Sequence, residues 1–331
     1  MKYLVTGGAG FIGSNFVQFL LDESRDAEVI NLDALSYAGN IDNLVEVMDN
    51  PRHKFIHGDI CDPDTVSCAI DGSDVVVNFA AESHVDRSIA SDKDFVRTNV
   101  LGTATLLAGA LASGVKRFLQ VSTDEVYGEL PWAEPEQEDS SAPRFTEDTP
   151  LAPRSPYSAT KAAADHLALA YHVTHGLDVV ITRSSNNYGP NQHWEKLIPL
   201  MITYALQGQP LPVYGDGLHV RDWIYVTDHC RGILAAIEQG TSGMVYNFGG
   251  DSERTNISVV KEILEILDRG QGSIRHVEDR PGHDRRYAID SSRARSKLGW
   301  EPSVNFSDGL RDTVSWYVAN QEWWESSDLD G

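Results

Sequence analysis

Short runs of β-branched and aliphatic residues alternate with longer stretches of helical periodicity through the first half of the chain. The runs at 3–6, 28–32, 54–57, 75–79, 117–121 and 178–182 predict strands, and 12–22, 94–112 and 157–175 predict helices between them. Several of the strands are apolar almost without interruption, as strands buried on both faces are. That alternation predicts an α/β fold, a Rossmann-like doubly wound parallel sheet with helices on both faces. Residues 1–183 make up the expected sheet domain. Past Arg183 the pattern turns irregular, with turn signals at Gly189-Pro190, Gly208, Gly215-Asp216-Gly217 and Gly249-Gly250. Residues 184–331 are therefore expected to form a smaller, mostly C-terminal α/β region on the substrate side. Helical segments at 226–239 and 258–268 predict that segments near 224–248 return to the sheet.

Two helical stretches, 101–111 and 162–170, are small or apolar nearly all round, so each needs a partner on its outer face as well as on the sheet. A homodimer through the helices near 95–112 and 157–175 is the expectation. The stretch 130–156 is rich in Pro, Glu and Ser without a period and reads as a surface loop. No apolar run reaches the ~18–20 residues of a membrane span. The apolar N-terminus is broken by Gly7, Gly8, Gly10 and Gly13, and so reads as a first strand and turn, not a leader.

The charge balance sharpens this picture. Acidic residues number 49 against 27 Lys and Arg, a net charge of −22. A nucleic-acid partner would need a basic face, so none is expected. Lysine is scarce, 8 against 19 Arg, which fits a carboxylate surface whose self-repulsion salt screens. An ordinary acidic enzyme fits equally. The cysteines, Cys61, Cys68 and Cys230, have no CxxC spacing, so free thiols in the cytoplasm are expected, with no disulfide framework and no metal.

After the first strand comes Gly7-Gly8-Ala9-Gly10-Phe11-Ile12-Gly13, opening a helix. Glycines there allow a tight turn and let backbone N–H groups approach a pyrophosphate at the helix N-terminus. Asp33 ends the second strand, twenty residues after Gly13. A carboxylate at that place accepts from ribose hydroxyls and repels a 2′-phosphate, which favours NAD. By position, Asp59 and Ile60 flank the adenine, and Ala80 and Ala81 pass beneath the cofactor.

Tyr157 and Lys161 stand four apart and so share a helix face. An ammonium there is expected to lower the phenol's pKa and leave Tyr157 able to take a proton from an alcohol. With the glycine turn in the same chain, this Tyr-x-x-x-Lys pair resembles the extended short-chain dehydrogenase/reductase family over nearly the whole length. In that family a Ser or Thr after the fifth strand bonds the reacting hydroxyl, which the resemblance places on Thr123. Asp124 and Glu125 follow it directly. An epimerase of the family has no use for a second acid–base pair, whereas an elimination does. Thr123-Asp124-Glu125 is similar to the triad of the dTDP-glucose 4,6-dehydratases. The resemblance implies Asp124 as acid at C6, Glu125 as base at C5, and NAD as a bound, recycled cofactor.

Other segments match the same family. Ser83 and His84 lie in Ala81-Glu82-Ser83-His84-Val85-Asp86-Arg87-Ser88, and Asn187 lies in Arg183-Ser184-Ser185-Asn186-Asn187-Tyr188-Gly189-Pro190. Lys196 and Leu197, then Pro212 and Tyr214, fall in segments implied to face the nucleotide. Arg221, Asn256, Arg280 and His283 complete the implied contacts to a nucleotide-diphosphate sugar. Arg221 and the arginines at 280–286 would supply the cations that the chain otherwise lacks, with at least one of them expected to be salt-bridged to a carboxylate instead. The implied reaction is dehydration of dTDP-glucose to dTDP-4-keto-6-deoxyglucose, that of a hydro-lyase. The rivals are a dehydratase or 4-epimerase acting on another nucleotide sugar such as UDP-glucose, and a non-catalytic NAD-binding regulator.

Overall fold

The computed structural model describes residues 1–132, 142–279 and 282–327. Seven parallel strands form the main sheet in the order Val245–Phe248, Val179–Ser184, Arg117–Thr123, Val75–Asn78, Lys2–Thr6, Glu28–Asp33, His53–His57. The first strand lies mid-sheet, and the chain winds outward from it in both directions. Val5, Val75, Val77 and Leu119 are buried under one helical layer, and Leu4, Val76, Phe118 and Ile181 under the other. Burial on both faces is why these runs lack the polar alternation of a half-exposed strand.

The six strands expected from the pattern are all present. The strand at 117–121 extends to Thr123, because Ser122 and Thr123 still pair with Arg183 and Ser184. The segment 224–248 does return: the helix Val226–Gln239 packs on the helix Phe11–Glu23, and Val245–Phe248 adds the outermost strand. Two small sheets complete the C-terminal side, one of Glu253–Thr255, Val220–Tyr225 and Asn186–Tyr188, the other of Ile274–Val277 and Leu211–Tyr214. A separate core forms there from the helices Leu197–Gln207, Asn256–Ile266 and Phe306–Ala319.

Two helices matter most for the site. Pro156–His175 starts at a reciprocal cap between Ser155 and Ser158, has Pro at its first turn, and ends at left-handed Gly176. Those signals fix its register and hence where Tyr157 and Lys161 point. Lys93–Ala112 is continuous but opens into a π-helical stretch at Val96–Gly102. There Asn99, fully buried, donates to Glu82 O at 3.0 Å and Thr160 Oγ1 at 2.9 Å. By length and composition alone this helix could cross a membrane, although no single apolar run in it is that long. Its inner face is occupied by the helices Pro63–Ile70 and Pro156–His175.

Candidate active site

A cavity of about 570 Å³ opens at the carboxyl ends of the strands, beside the point where the winding of the sheet reverses. That is where open α/β sheets bind ligands. Every residue expected to hold the cofactor lines it: Gly7, Gly10, Phe11, Ile12 and Gly13 on the turn, Asp33, Asp59 and Ile60 on one wall, Ala80, Ala81, Tyr157 and Lys161 on the other. Gly7 has φ +70°, and a methyl group on it would lie 2.6 Å from the backbone nitrogen of Ala80. A methyl on Gly13 would lie 2.2 Å from Gly7 O. The turn therefore packs against its neighbours at distances only glycine permits. No side chain caps the helix that follows, so its first N–H groups face the cavity side unmasked. Asp33 accepts from Ala9 N–H and Leu35 N–H, both at 2.8 Å. Each of its oxygens keeps a lone pair for a hydroxyl. These residues fit a dinucleotide.

The opposite wall carries the residues expected to act as acid and base. Thr123 ends its strand and caps the single turn Asp124–Tyr127 by accepting from Glu125 N–H at 3.3 Å. Its hydroxyl also reaches Asp124 Oδ1 at 3.4 Å and is close enough to the Tyr157 phenol to favour its ionised form slightly. Asp124 is 2% exposed, and its Oδ2 has no hydrogen-bond partner among the described residues. Burial, with the charges of Glu125 and Asp222, holds its carboxyl well above the usual range, against a smaller opposing effect of Arg221. The charged form of Asp124 is thus disfavoured, and its second oxygen meets no hydrogen-bond partner among the described residues. Glu125 sits beside it on the cavity wall.

One electrostatic expectation is corrected. The Tyr157 phenol is pushed up, not down: burial dominates, and Glu125 and Tyr37 add to it. Lys161 does not offset this. Burial lowers its own pKa to about 8, and its ammonium donates to Val121 O at 2.7 Å.

The expected substrate contacts divide. Ser83, Asn187 and Lys196 line the cavity. His84 and Leu197 stand just outside it, His84 capping the helix Val85–Ala90 and Leu197 opening the helix Leu197–Gln207. Tyr214, Arg221, Asn256 and His283 gather beside it around a residue that the sequence did not single out, His219. The His283 ring stacks on His219 with centroids 3.7 Å apart and packs edge-on to Tyr214, and Asn256 N–H donates to His219 O at 2.9 Å. Pro212 lies two residues before Tyr214 on the same strand. Arg280 lies outside the described residues.

Asp279 bridges the two imidazoles, 2.7 Å from His283 Nδ1 and 3.3 Å from His219 Nε2. Three possible metal ligands thus meet where no metal was expected. The rings are tilted by only 14°. Their lone pairs lie in nearly parallel planes, which share no point where one ion could sit. The trio is built as a stack, not as a preformed cation site.

The expectation that at least one arginine of this cluster is salt-bridged is met twice. Arg286 is fully buried and holds Glu253 through Nε at 2.8 Å and Nη2 at 3.1 Å. Arg285 grips both oxygens of Asp216 at 2.8 and 2.7 Å. These two fix the C-terminal side to itself and do not wait for phosphate. Arg221 lies over the Tyr287 ring at 4.4 Å and influences Asp124, so it joins this side to the acid–base groups.

Comparison with known proteins agrees with this geometry. Residues 4–313 match the family model described as GDP-mannose 4,6 dehydratase. The chain is 54% identical to a dTDP-glucose 4,6-dehydratase of Streptomyces griseus, over 97% of its own length and 95% of the other. It is 53% identical to the low-salt glycan biosynthesis protein Agl12 of Haloferax volcanii, over 97% and 100%. Among solved structures, DesIV, the dTDP-glucose 4,6-dehydratase of Streptomyces venezuelae crystallised with NAD, superposes with a TM-score of 0.94 at 50% identity, covering 99% of this chain and 100% of that one. The UDP-glucose 4-epimerase of Thermotoga maritima shares the fold at a TM-score of 0.87 and 30% identity, covering 97% and 100%. The epimerase likeness is to the oxidising framework, while the buried Asp124 beside Glu125 fits elimination, and this chain belongs to the nucleotide-sugar 4,6-dehydratases of the extended short-chain dehydrogenase/reductase family.

Proposed function

We propose that this protein is an NAD-dependent hydro-lyase that converts dTDP-glucose to dTDP-4-keto-6-deoxyglucose. The observation that carries the reading is Asp124, buried and with one oxygen unpartnered among the described residues, its carboxyl held well above the usual range, next to Glu125 on the turn that Thr123 caps. When bound, NAD would supply a reversible hydride acceptor for the oxidation at C4 and the reduction at C6, and its positive charge would favour ionisation of Tyr157. Tyr157 takes the proton of the C4 hydroxyl, held by Thr123. Once C4 is a ketone, the C5 hydrogen is acidic and Glu125 removes it. Asp124 gives its proton to the C6 hydroxyl, which leaves as water. Glu125 then returns a proton to C5.

Gly7, Gly10, Phe11, Ile12 and Gly13 would hold the pyrophosphate, Asp33 the adenosine ribose, and Lys161 the nicotinamide ribose. Residues 1–183 with the returning segments would serve the cofactor, and 184–331 mainly the sugar nucleotide. Ser83 and Asn187, which line the cavity, would contact the sugar and pyrophosphate, while Tyr214, Asn256 and His283 would serve the base. Val96, Leu101 and Leu111 on one helix and Val173 on the other are exposed, which supports a homodimer through these helices. The three cysteines are free, which supports a cytoplasmic site of action.

The test is to incubate the purified protein with dTDP-glucose in deuterated water without added NAD and to weigh the product. Loss of water with one deuterium at C5 is expected. An inert enzyme that instead dehydrates the UDP, CDP or GDP sugar would move the assignment to another nucleotide. Epimerised sugar without a keto product would overturn the elimination altogether.

A further inference from the structure

Tyr157, Lys161 and Asp165 follow one another at four-residue steps on the helix Pro156–His175, and all three are buried. Asp165 does not line the cavity. Its Oδ2 accepts from Arg183 Nε at 2.9 Å in an ion pair with almost no exposure on either side. Arg183 then donates through Nη1 to the Tyr127 hydroxyl at 2.9 Å, and its guanidinium carbon lies 4.8 Å from the centre of the Tyr127 ring. Tyr127 in turn donates a hydrogen bond from its hydroxyl to Asn247 Oδ1 at 2.8 Å. Its ring stacks on Phe145 with centroids 5.1 Å apart.

The place of Tyr127 gives this chain of contacts its meaning. It is the last residue of the single turn whose first two residues are Asp124 and Glu125. Arg183 and Asn247 are register partners on adjacent strands, and Arg183 is also paired with Ser122, just before the catalytic turn. One buried guanidinium therefore grips the helix of the oxidising pair with one edge and the turn of the eliminating pair with the other. Tyr127, Arg183 and Asn247, like Asp165, do not line the cavity, so none is placed to touch substrate.

We propose that Arg183, clamped between Asp165 and Tyr127, is a positioning residue that sets the Asp124–Glu125 turn against the Tyr157–Lys161 helix. Dehydration needs both pairs on one sugar in succession. Oxidation at C4 uses Thr123, Tyr157 and Lys161, whereas loss of water uses the turn. Loosening the tie therefore slows the second step more than the first. A misplacement of about 1 Å is enough to cost on the order of 10²-fold. Arg183 suits the task because its planar fork bonds two partners at fixed angles, which the single point of a lysine ammonium does not.

The inference rests on the dehydratase reading, and the experiment separates the two. Tyr127→Phe removes the hydroxyl that receives Arg183 but keeps the stacked ring and leaves the Arg183–Asp165 pair whole. Arg183→Lys keeps a charge for Asp165 but not the fork. Each variant is given dTDP-glucose in a single turnover, and reduced nicotinamide and released keto product are followed together, with melting temperature measured alongside. Reduced nicotinamide should form at near the native rate and accumulate. Keto product should appear on the order of 10-fold more slowly in Tyr127→Phe and up to 10²-fold more slowly in Arg183→Lys. If both steps slow equally, or neither does while stability falls, the tie is structural only and the proposal is overturned. Failure of the unaltered protein to release keto product would sink the dehydratase reading instead.

Discussion

The two sides of the cavity are made by different means. The cofactor side is built from backbone: a glycine turn, an uncapped helix start and the ends of neighbouring strands, nearly all within short stretches of sequence. The C-terminal side is built from side chains brought together over long separations, as when His219 stacks on His283, Arg286 holds Glu253, and Arg285 holds Asp216. Backbone construction tolerates little, because an added methyl group meets atoms that cannot move. Side-chain construction is more forgiving on the surface but depends on complete partners where it is buried. The acid–base groups stand where the two sides meet.

Four experiments would sharpen or break this contrast. The largest effect should come at the junction itself. Asp124→Asn and Glu125→Gln should each slow water loss by about 10²–10⁴-fold yet keep NAD bound through purification. If either variant lost its NAD, the acids would belong to the cofactor wall, and the division would be wrong. Next, Arg286→Met should destabilise by about 1.5–3 kcal/mol, the range for hydrogen bonds to a charged group, since Glu253 keeps Arg144 Nε at 3.5 Å, while removing Glu253 as well should recover much of it. Denaturant melts of the single and double variants measure this. A double variant as unstable as the single one would mean that the pair was not the link.

On the backbone side, Gly13→Ala should cost about 1–3 kcal/mol through crowding, since its new carbon would meet the Gly7 carbonyl at 2.2 Å. It should also release the cofactor, which absorbance of the purified protein would reveal. Full retention of NAD would show that the turn can relax. The smallest effect is a pH limb. Lys161 holds its proton only to about pH 8, so turnover should fall progressively as pH rises through that value and the ammonium is lost. A rate profile flat to pH 10 would mean that the charge on Lys161 is not needed.

The same contrast explains what the sequence could show. The glycine turn, Asp33, Thr123-Asp124-Glu125 and Tyr157 with Lys161 are legible because each job is done by residues at fixed local spacing, and the structure gathers all of them at one cavity. The strands were legible because burial on both faces leaves a plain apolar run. His219 was not legible, since its partner lies on a distant segment with no pattern joining them. Nor was the role of Tyr127, which depends on register between Arg183 and Asn247. The Tyr157 phenol was misjudged for a related reason. Spacing places an ammonium nearby, but only the packing shows how deeply both groups are buried. That at least one arginine at 280–286 is salt-bridged was foreseeable from the surplus of carboxylates, but which partners Arg285 and Arg286 take was not, because a cluster of charges in sequence does not say what faces it.

The turn Asp124–Tyr127 has a consequence for how new chemistry arises on this framework. The proposed acid and base are consecutive residues on one capped turn, so neither could be re-aimed without moving the other. Acquiring or losing the elimination is therefore a matter of two side chains on backbone that already exists. An ancestor that could only oxidise and reduce a sugar would need no new loop and no new pocket to become a dehydratase. The reverse change would be just as short, which places two reaction outcomes within a few substitutions of each other.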